Sequence, residues 1–164
     1  TYRKLVAAGL HTICIVSCAI PEVAAQARRC TGHVIVIPDL DNHGIGSSLK
    51  AGLRALIAQE CKRVLVALCD QPRLTAKHYR RLITERGTPD PIVATSYMGV
   101  SGAPCVIPER YFSEIFALSD GEGARSVLAR HTVVTVDADD GRFDIDTPDD
   151  YGAFLTRTME KQRT

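Results

Sequence analysis

The sequence predicts an α/β protein built in three layers around a mostly parallel sheet. Short apolar runs alternate with helical segments along the chain, the pattern of strand–helix–strand units. The run Val64-Leu65-Val66-Ala67-Leu68-Cys69 has no polar interruption, as expected of a strand covered by helices on both faces. Gly9, Pro38 and Pro72 each close the segment they follow, which keeps the elements short.

Taken in order, residues 3–8 read as the tail of a helix stopped by Gly9, a common terminator. Residues 12–17 follow as a short buried strand. Residues 21–29 are helical, with Pro21 in the first turn and Glu22 in the favourable early position. Residues 33–37 form the next strand. A polar loop over 39–44 leads into a helix over 47–60, whose Leu49, Leu53, Leu56 and Ile57 give one apolar face. After the 64–69 strand, Thr75 caps a helix that runs through Glu85. Residues 91–95 and 104–107 are strands, Pro108 opens a helix, residues 123–130 form another, and 132–136 return as a strand. Thr147-Pro148-Asp149-Asp150 supplies a cap, a proline at the first helical position and two acids against the positive helix end. That helix runs to about residue 161. With 164 residues and no internal repeat or linker, one domain over 1–164 is expected.

The hydrophobic fraction of 45% and charged fraction of 24% are those of an ordinary globular protein. A net charge of +1 argues against general attraction to nucleic acid or to a membrane surface. The balance hides an acidic stretch, residues 137–150, with seven Asp and one Arg. The six cysteines show neither C-x-x-C nor paired zinc spacing. Cys14, Cys69 and Cys105 fall inside apolar runs, where a thiol behaves as a small hydrophobe. A reduced, cytoplasmic setting is the expectation. His78 and His131 stand in no metal-ligand or triad spacing and read as surface residues.

Asp70 carries the strongest chemical signal. It follows the uninterrupted run and precedes Gln71-Pro72, which puts its carboxylate at the carboxyl end of a strand, where open α/β sheets place ligands. Such a group is costly to desolvate, and a divalent cation is one common way to stabilise it. Asp144-Ile145-Asp146 has a spacing of two, which points both carboxylates to one side of an extended segment. The pair reads equally well as turn acids or as partners of Asp70 around a cation. Gly44-Ile45-Gly46-Ser47-Ser48-Leu49-Lys50 joins a glycine turn to a helix start, a place suited to an anion. It matches neither the dinucleotide nor the P-loop pattern, and by itself reads first as a plain cap at Ser47 or Ser48. Asp120-Gly121-Glu122-Gly123-Ala124-Arg125 ends in an arginine at a helix start, suited to phosphate or carboxylate, although a lone surface arginine is the commoner case. No G-x-S-x-G element surrounds Ser47, Ser101 or Ser126, so serine hydrolase chemistry has no support.

The order of these pieces resembles one family. Ser47-Ser48-Leu49-Lys50-Ala51-Gly52-Leu53, Leu68-Cys69-Asp70-Gln71-Pro72, Gly102-Ala103-Pro104, Asp120 to Arg125 and Asp144-Ile145-Asp146-Thr147-Pro148 are similar to the MobA-like nucleotidyltransferases. Within them they look most like the molybdenum cofactor cytidylyltransferase (MocA-like) branch. The resemblance implies a Rossmann-like fold of the nucleotide-diphospho-sugar transferase type and transfer of a nucleotidyl group from a nucleoside triphosphate, CTP in this branch, with Mg2+. The acceptor implied is the phosphate of a molybdopterin-type cofactor, with pyrophosphate leaving, and a molybdoenzyme or its assembly factor is an implied partner. By position, Asp70 is the implied catalytic residue and a metal ligand, with Asp144 or Asp146 completing the metal site. Ser47 and Ser48 are implied near the nucleotide, and Gly102, Pro104 and Arg125 on the acceptor side.

One departure stands out. The family opens with a strand and a loop of the form Leu-Ala-Ala-Gly-x-Ser-x-Arg-Met-Gly that binds triphosphate. Here Val6-Ala7-Ala8-Gly9 is followed by Leu10-His11-Thr12-Ile13-Cys14, without the Ser or Arg. The chain also opens on Thr1. The first strand and glycine loop are therefore expected to be missing, and the domain to be N-terminally incomplete. Two alternatives stand beside the cytidylyltransferase reading. One is the same fold acting with GTP or on a sugar or alditol phosphate. The other is a non-catalytic cofactor-binding protein of molybdoenzyme assembly.

Overall fold

The computed structural model describes residues 1–18, 20–31, 34–37, 40–138, 145 and 147–161. Six strands and seven α-helices alternate among them. In order they are α1 (Tyr2–Ala7), β1 (Ile15–Cys18), α2 (Pro21–Cys30), β2 (Val34–Ile37), α3 (Leu40–Ile57), β3 (Arg63–Val66), α4 (Ala76–Thr84), β4 (Ile92–Tyr97) and β5 (Val100–Pro108). A 3-10 turn over Glu109–Tyr111 then leads into α5 (Phe112–Phe116), α6 (Ala124–Leu128), β6 (Val133–Asp137) and α7 (Pro148–Lys161).

The strands lie in two sheets, β1-β2 and β3-β5-β4-β6. β1 and β2 are parallel, with Ile15 opposite Val34, as the intervening α2 crossover requires. In the larger sheet β5 is antiparallel to both neighbours, whereas β4 and β6 are parallel. It follows that β3, β4 and β6 all point one way and β5 alone runs against them. The mostly parallel α/β architecture is therefore as expected. The reversed strand comes from a hairpin turning at Met98-Gly99, with Tyr97 opposite Val100. Only the end of β5 carries an apolar run, because Val100 to Ala103, exposed or half-buried at its start, form none.

Side-chain alternation in the middle strands divides the core in two. Ile92 and Ala94 of β4, with Cys105 and Ile107 of β5, pack towards Leu53, Phe112, Ile115 and Val127 from α3, α5 and α6. Val93 and Val106, between them in sequence, face Leu5, Tyr79 and Leu82 of α1 and α4. The period of two sends successive residues to opposite faces, so both faces are covered and three layers result. A fully buried side chain such as Ile92, Ile107 or Leu82 contributes about 2 kcal/mol of burial free energy.

Several local signals hold. Thr75 caps α4, its hydroxyl accepting from His78 N at 3.2 Å. At α7, Asp150 N donates to Thr147 Oγ1 at 3.2 Å while Thr147 N donates to Asp150 Oδ2 at 2.9 Å, a reciprocal capping arrangement. Gly9 ends α1 region with φ of 102°, a conformation that only glycine adopts without strain. Other elements shift. β3 stops at Val66 and not at Cys69, and the segment beyond it turns to other partners, Leu68 O accepting from Thr1 Oγ1. Helical backbone begins at Leu40, with a break at Gly44 (φ 63°, ψ 177°), where a loop was expected. Ile57 is 41% exposed and does not join the apolar face of Leu49, Leu53 and Leu56.

Candidate active site

Because β3, β4 and β6 run in one direction, their carboxyl ends share one edge of the sheet, and the segment carrying Asp70 leaves β3 there. The acid stands four residues beyond Val66, on a bend, with its Oδ1 buried. Its backbone oxygen accepts from Ile145 N at 2.9 Å. Asp144 and Asp146 lie outside the described residues, but the residue between them is hydrogen-bonded to Asp70 itself.

The neighbours of Asp70 hold its segment down. Thr1 Oγ1 donates to Leu68 O at 3.3 Å, and Lys4 Nζ donates to Pro72 O at 2.5 Å. Burial pulls the Lys4 pKa below its ordinary value. Gln71 is 6% exposed and donates from Nε2 to Ala103 O at 3.4 Å. Tyr97 donates to the same carbonyl at 2.8 Å. One residue on, Thr95 Oγ1 donates to Pro104 O at 2.8 Å and lies 2.9 Å from His78 Nε2. Since the threonine hydrogen is spent on Pro104, Nε2 carries the imidazole proton and donates; the hydrogen-bond network assigns this tautomer. The Asp70-Gln71-Pro72 segment is thus seated on Gly102-Ala103-Pro104, which is braced from behind by Thr95 and His78.

His78 is therefore buried and hydrogen-bonded, contrary to the surface position its sequence context suggested. It stands on the inner face of α4, beside the fully buried Tyr79. His131 is no lone surface group either, since its Nε2 lies 2.7 Å from Glu114 Oε1 and its ring sits tilted by 54° against Tyr111, with centroids 4.6 Å apart. Burial, with the nearby Cys69 and Asp70, pushes the Tyr79 phenol up to about 12, so it stays neutral under Asp70. Cys105 is fully buried and its thiol is likewise raised to about 12, which leaves it a packing residue. Cys69, by contrast, is exposed.

The remaining sequence candidates fall in two places. Gly102 lies in β5 opposite Thr95, with the Tyr97 ring the nearest group to where a Cβ would stand. Pro104 is fully buried in the same strand, so it shapes the edge through its backbone. Arg125 is exposed in the first turn of α6. Ser47 and Ser48 follow the break at Gly44, and there the expected anion is supplied by the chain itself. Asp120 Oδ1 accepts from Ser47 Oγ at 2.8 Å and pairs with Lys50 Nζ at 2.9 Å. No sequence signal joins Asp120 to Lys50, 70 residues apart. Lys4, Thr95 and His78 were equally out of reach of a reading along the chain.

Among the described residues no three His, Cys, Asp or Glu side chains gather as a metal cluster. The donor chemistry at Asp70, a carboxylate with one oxygen inside the protein, nevertheless suits a hard divalent cation.

The sequence matches the MobA-like NTP transferase domain over residues 1–136, most of the chain. The chain belongs to that family. The fold agrees. A Mycobacterium tuberculosis protein, Rv0371c, solved as a complex with manganese, superposes with a TM-score of 0.72 at 24% identity, covering 94% of this chain and 86% of the other. A nucleotidyl transferase from Methanothermobacter gives 0.68 at 16% identity, over 97% and 78% of the two chains. In sequence this NTP transferase domain is 28% identical over 113 residues to the purine catabolism protein PucB of Bacillus subtilis (strain 168). That match takes in 66% of this chain and 54% of PucB, so the chain spans about half the length of the curated relative. Among the described residues no helix is long and apolar enough to cross a membrane.

Proposed function

We propose that this MobA-like domain belongs to a cytidylyltransferase that moves the CMP group of CTP to the phosphate of a molybdopterin-type cofactor and releases pyrophosphate. The observation that carries the reading is the bond from Ile145 N to Asp70 O at 2.9 Å. It brings Ile145 to the Asp70-Gln71-Pro72 segment at the strand-end edge, and both belong to stretches that carry the resemblance to the cytidylyl branch. Asp70, with Asp144 or Asp146, would hold Mg2+, which when bound offsets the charge of the triphosphate and of the leaving pyrophosphate. Gln71 and Ala103 fix the Asp70 segment, so the carboxylate needs little rearrangement on binding. Ser48 is assigned to the nucleotide side and Arg125 to the acceptor phosphate, for which a guanidinium fork is well shaped. Aligned phosphates suffice for direct in-line transfer, without a covalent enzyme intermediate.

The test is pyrophosphate release by the full-length protein with CTP or GTP, molybdopterin and Mg2+. Release with a clear CTP preference is expected, abolished by EDTA and restored by Mg2+ or Mn2+. A GTP preference would move the protein to the guanylyl branch. Release only with a sugar or alditol phosphate would replace the acceptor, and no release with any pair would leave a binding role in molybdoenzyme assembly.

A further inference from the structure

Asp120 joins two segments that the functional reading uses separately. Besides its carboxylate bonds to Ser47 and Lys50, its backbone oxygen accepts from Gly46 N at 2.9 Å. Lys50 also donates to Leu118 O at 3.2 Å, and its side chain is only 18% exposed. The approach is close enough to require glycine. A Cβ at Gly44 would overlap the Asp120 carbonyl and one at Gly46 the Ser119 carbonyl, while Gly44 also has a positive φ. Across the same contact, Gly123 lies against Ile45, and Glu122 closes its own turn by accepting from Ser119 N at 2.8 Å.

We propose that Asp120 is a positioning residue of the transferase site, clamping residues 119–125 to the turn of α3 that follows its break at Gly44. This inference rests on the functional reading above, in which Ser48 serves the nucleotide and Arg125 the acceptor. The two sides of the clamp differ in rigidity. α3 is anchored independently by Leu49, Leu53 and Leu56 in the core. α6 is also seated in that core, by Ala124, Val127 and Leu128, but it has five residues against eighteen in α3, so the direction of its first turn depends more on the loop that enters it. Loss of the clamp should therefore disturb Arg125 more than Ser48. The ion pair is half-exposed on the Asp120 side and would matter little alone. Its weight comes from convergence with the Ser47 and Gly46 bonds in one closely packed turn.

The experiment compares Asp120→Ala, Asp120→Asn and Ser47→Ala with the unsubstituted full-length protein. Leu82→Ala, in α4 on the other face of the sheet, serves as a control for lost stability. Pyrophosphate release is measured with CTP and molybdopterin, giving kcat and a KM for each substrate, alongside Tm. Asp120→Ala is expected to raise the acceptor KM about tenfold, with the CTP KM changed less than about twofold and kcat less than about threefold. Asp120→Asn should recover part of this, because its amide oxygen still accepts from Ser47. Leu82→Ala should lower Tm without moving either KM. Unchanged KM values in both Asp120 variants, with only a lower Tm, would overturn the proposal while leaving the functional reading intact. Absence of pyrophosphate release from the unsubstituted protein would overturn the reading, and the proposal with it.

Discussion

Asp70 and His78 are both held by their surroundings, but to different ends. Asp70→Ala keeps the backbone bond to Ile145 and removes only the carboxylate, so turnover is expected to fall about a hundredfold or more with Tm nearly unchanged. Near-normal turnover in a folded variant would remove Asp70 from the chemistry. His78 acts behind the site. Burial, helped by the Arg81 charge, holds its pKa below the ordinary 6.5. As pH falls, the unfolded chain takes up this proton before the folded one does. Its contribution to stability is therefore complete above about 6.5 and is lost as pH falls through the lower folded value. His78→Gln is expected to flatten the decline in stability between about pH 7 and about pH 5, read from urea midpoints across that range. Parallel curves for the two proteins would show that the imidazole does not titrate differently on folding.

At the scale of elements, Arg63 shows how one side chain ties a strand to a helix end. It leaves β3 and donates through Nη1 to Ile83 O and through Nη2 to Glu85 O, both at 3.1 Å. These carbonyls belong to the last turn of α4 and the residue after it, where a cation is favoured by the helix dipole. Asp90 Oδ2 stands 3.1 Å from the Arg63 Nε, and the guanidinium side chain is only 12% exposed. Arg63→Met keeps the apolar stem and removes the fork. It is expected to cost about 1–2 kcal/mol, measured by urea unfolding, because the partly exposed Ile83 and Glu85 carbonyls and the Asp90 charge lose their partner. A change within about 0.5 kcal/mol would mean that water replaces the guanidinium without loss.

At the scale of the whole molecule, the two sheets are bridged by α3, which packs against β1, β2 and β3. Among the described residues β1 pairs only with β2, and β3 only with β5. Each therefore offers an unpaired edge, and such edges recruit other chains. The 164-residue chain is expected to associate as its concentration rises, seen by size-exclusion chromatography with light scattering. A single monomer mass at every concentration would mean that these edges are covered. The same architecture assembles the proposed site. Residues 70–72 leave β3 on the edge where the reversed β5, carrying 102–104, begins, and Ile145 is hydrogen-bonded to Asp70 there.

The sequence alone determined the alternation of strands and helices, the caps at Thr75 and Thr147, the stop at Gly9 and the prominence of Asp70. All of these are encoded within a few residues, in hydrophobic period, breakers and side-chain to backbone bonds. It also carried the ordered motifs by which the family is recognised. Tertiary structure decided what depends on contacts between distant segments. β3 ended at Val66, with Leu68 O bonded to Thr1 Oγ1, and the Met98-Gly99 turn reversed β5. Thr95 took His78 into the core, and Asp120 filled the anion position that Ser47 and Lys50 offered. Apart from the turn beside β5, the deciding group lies far along the chain or across the sheet, and the local pattern is equally consistent with another partner. A chain pattern records which groups need a partner; only packing selects which partner arrives.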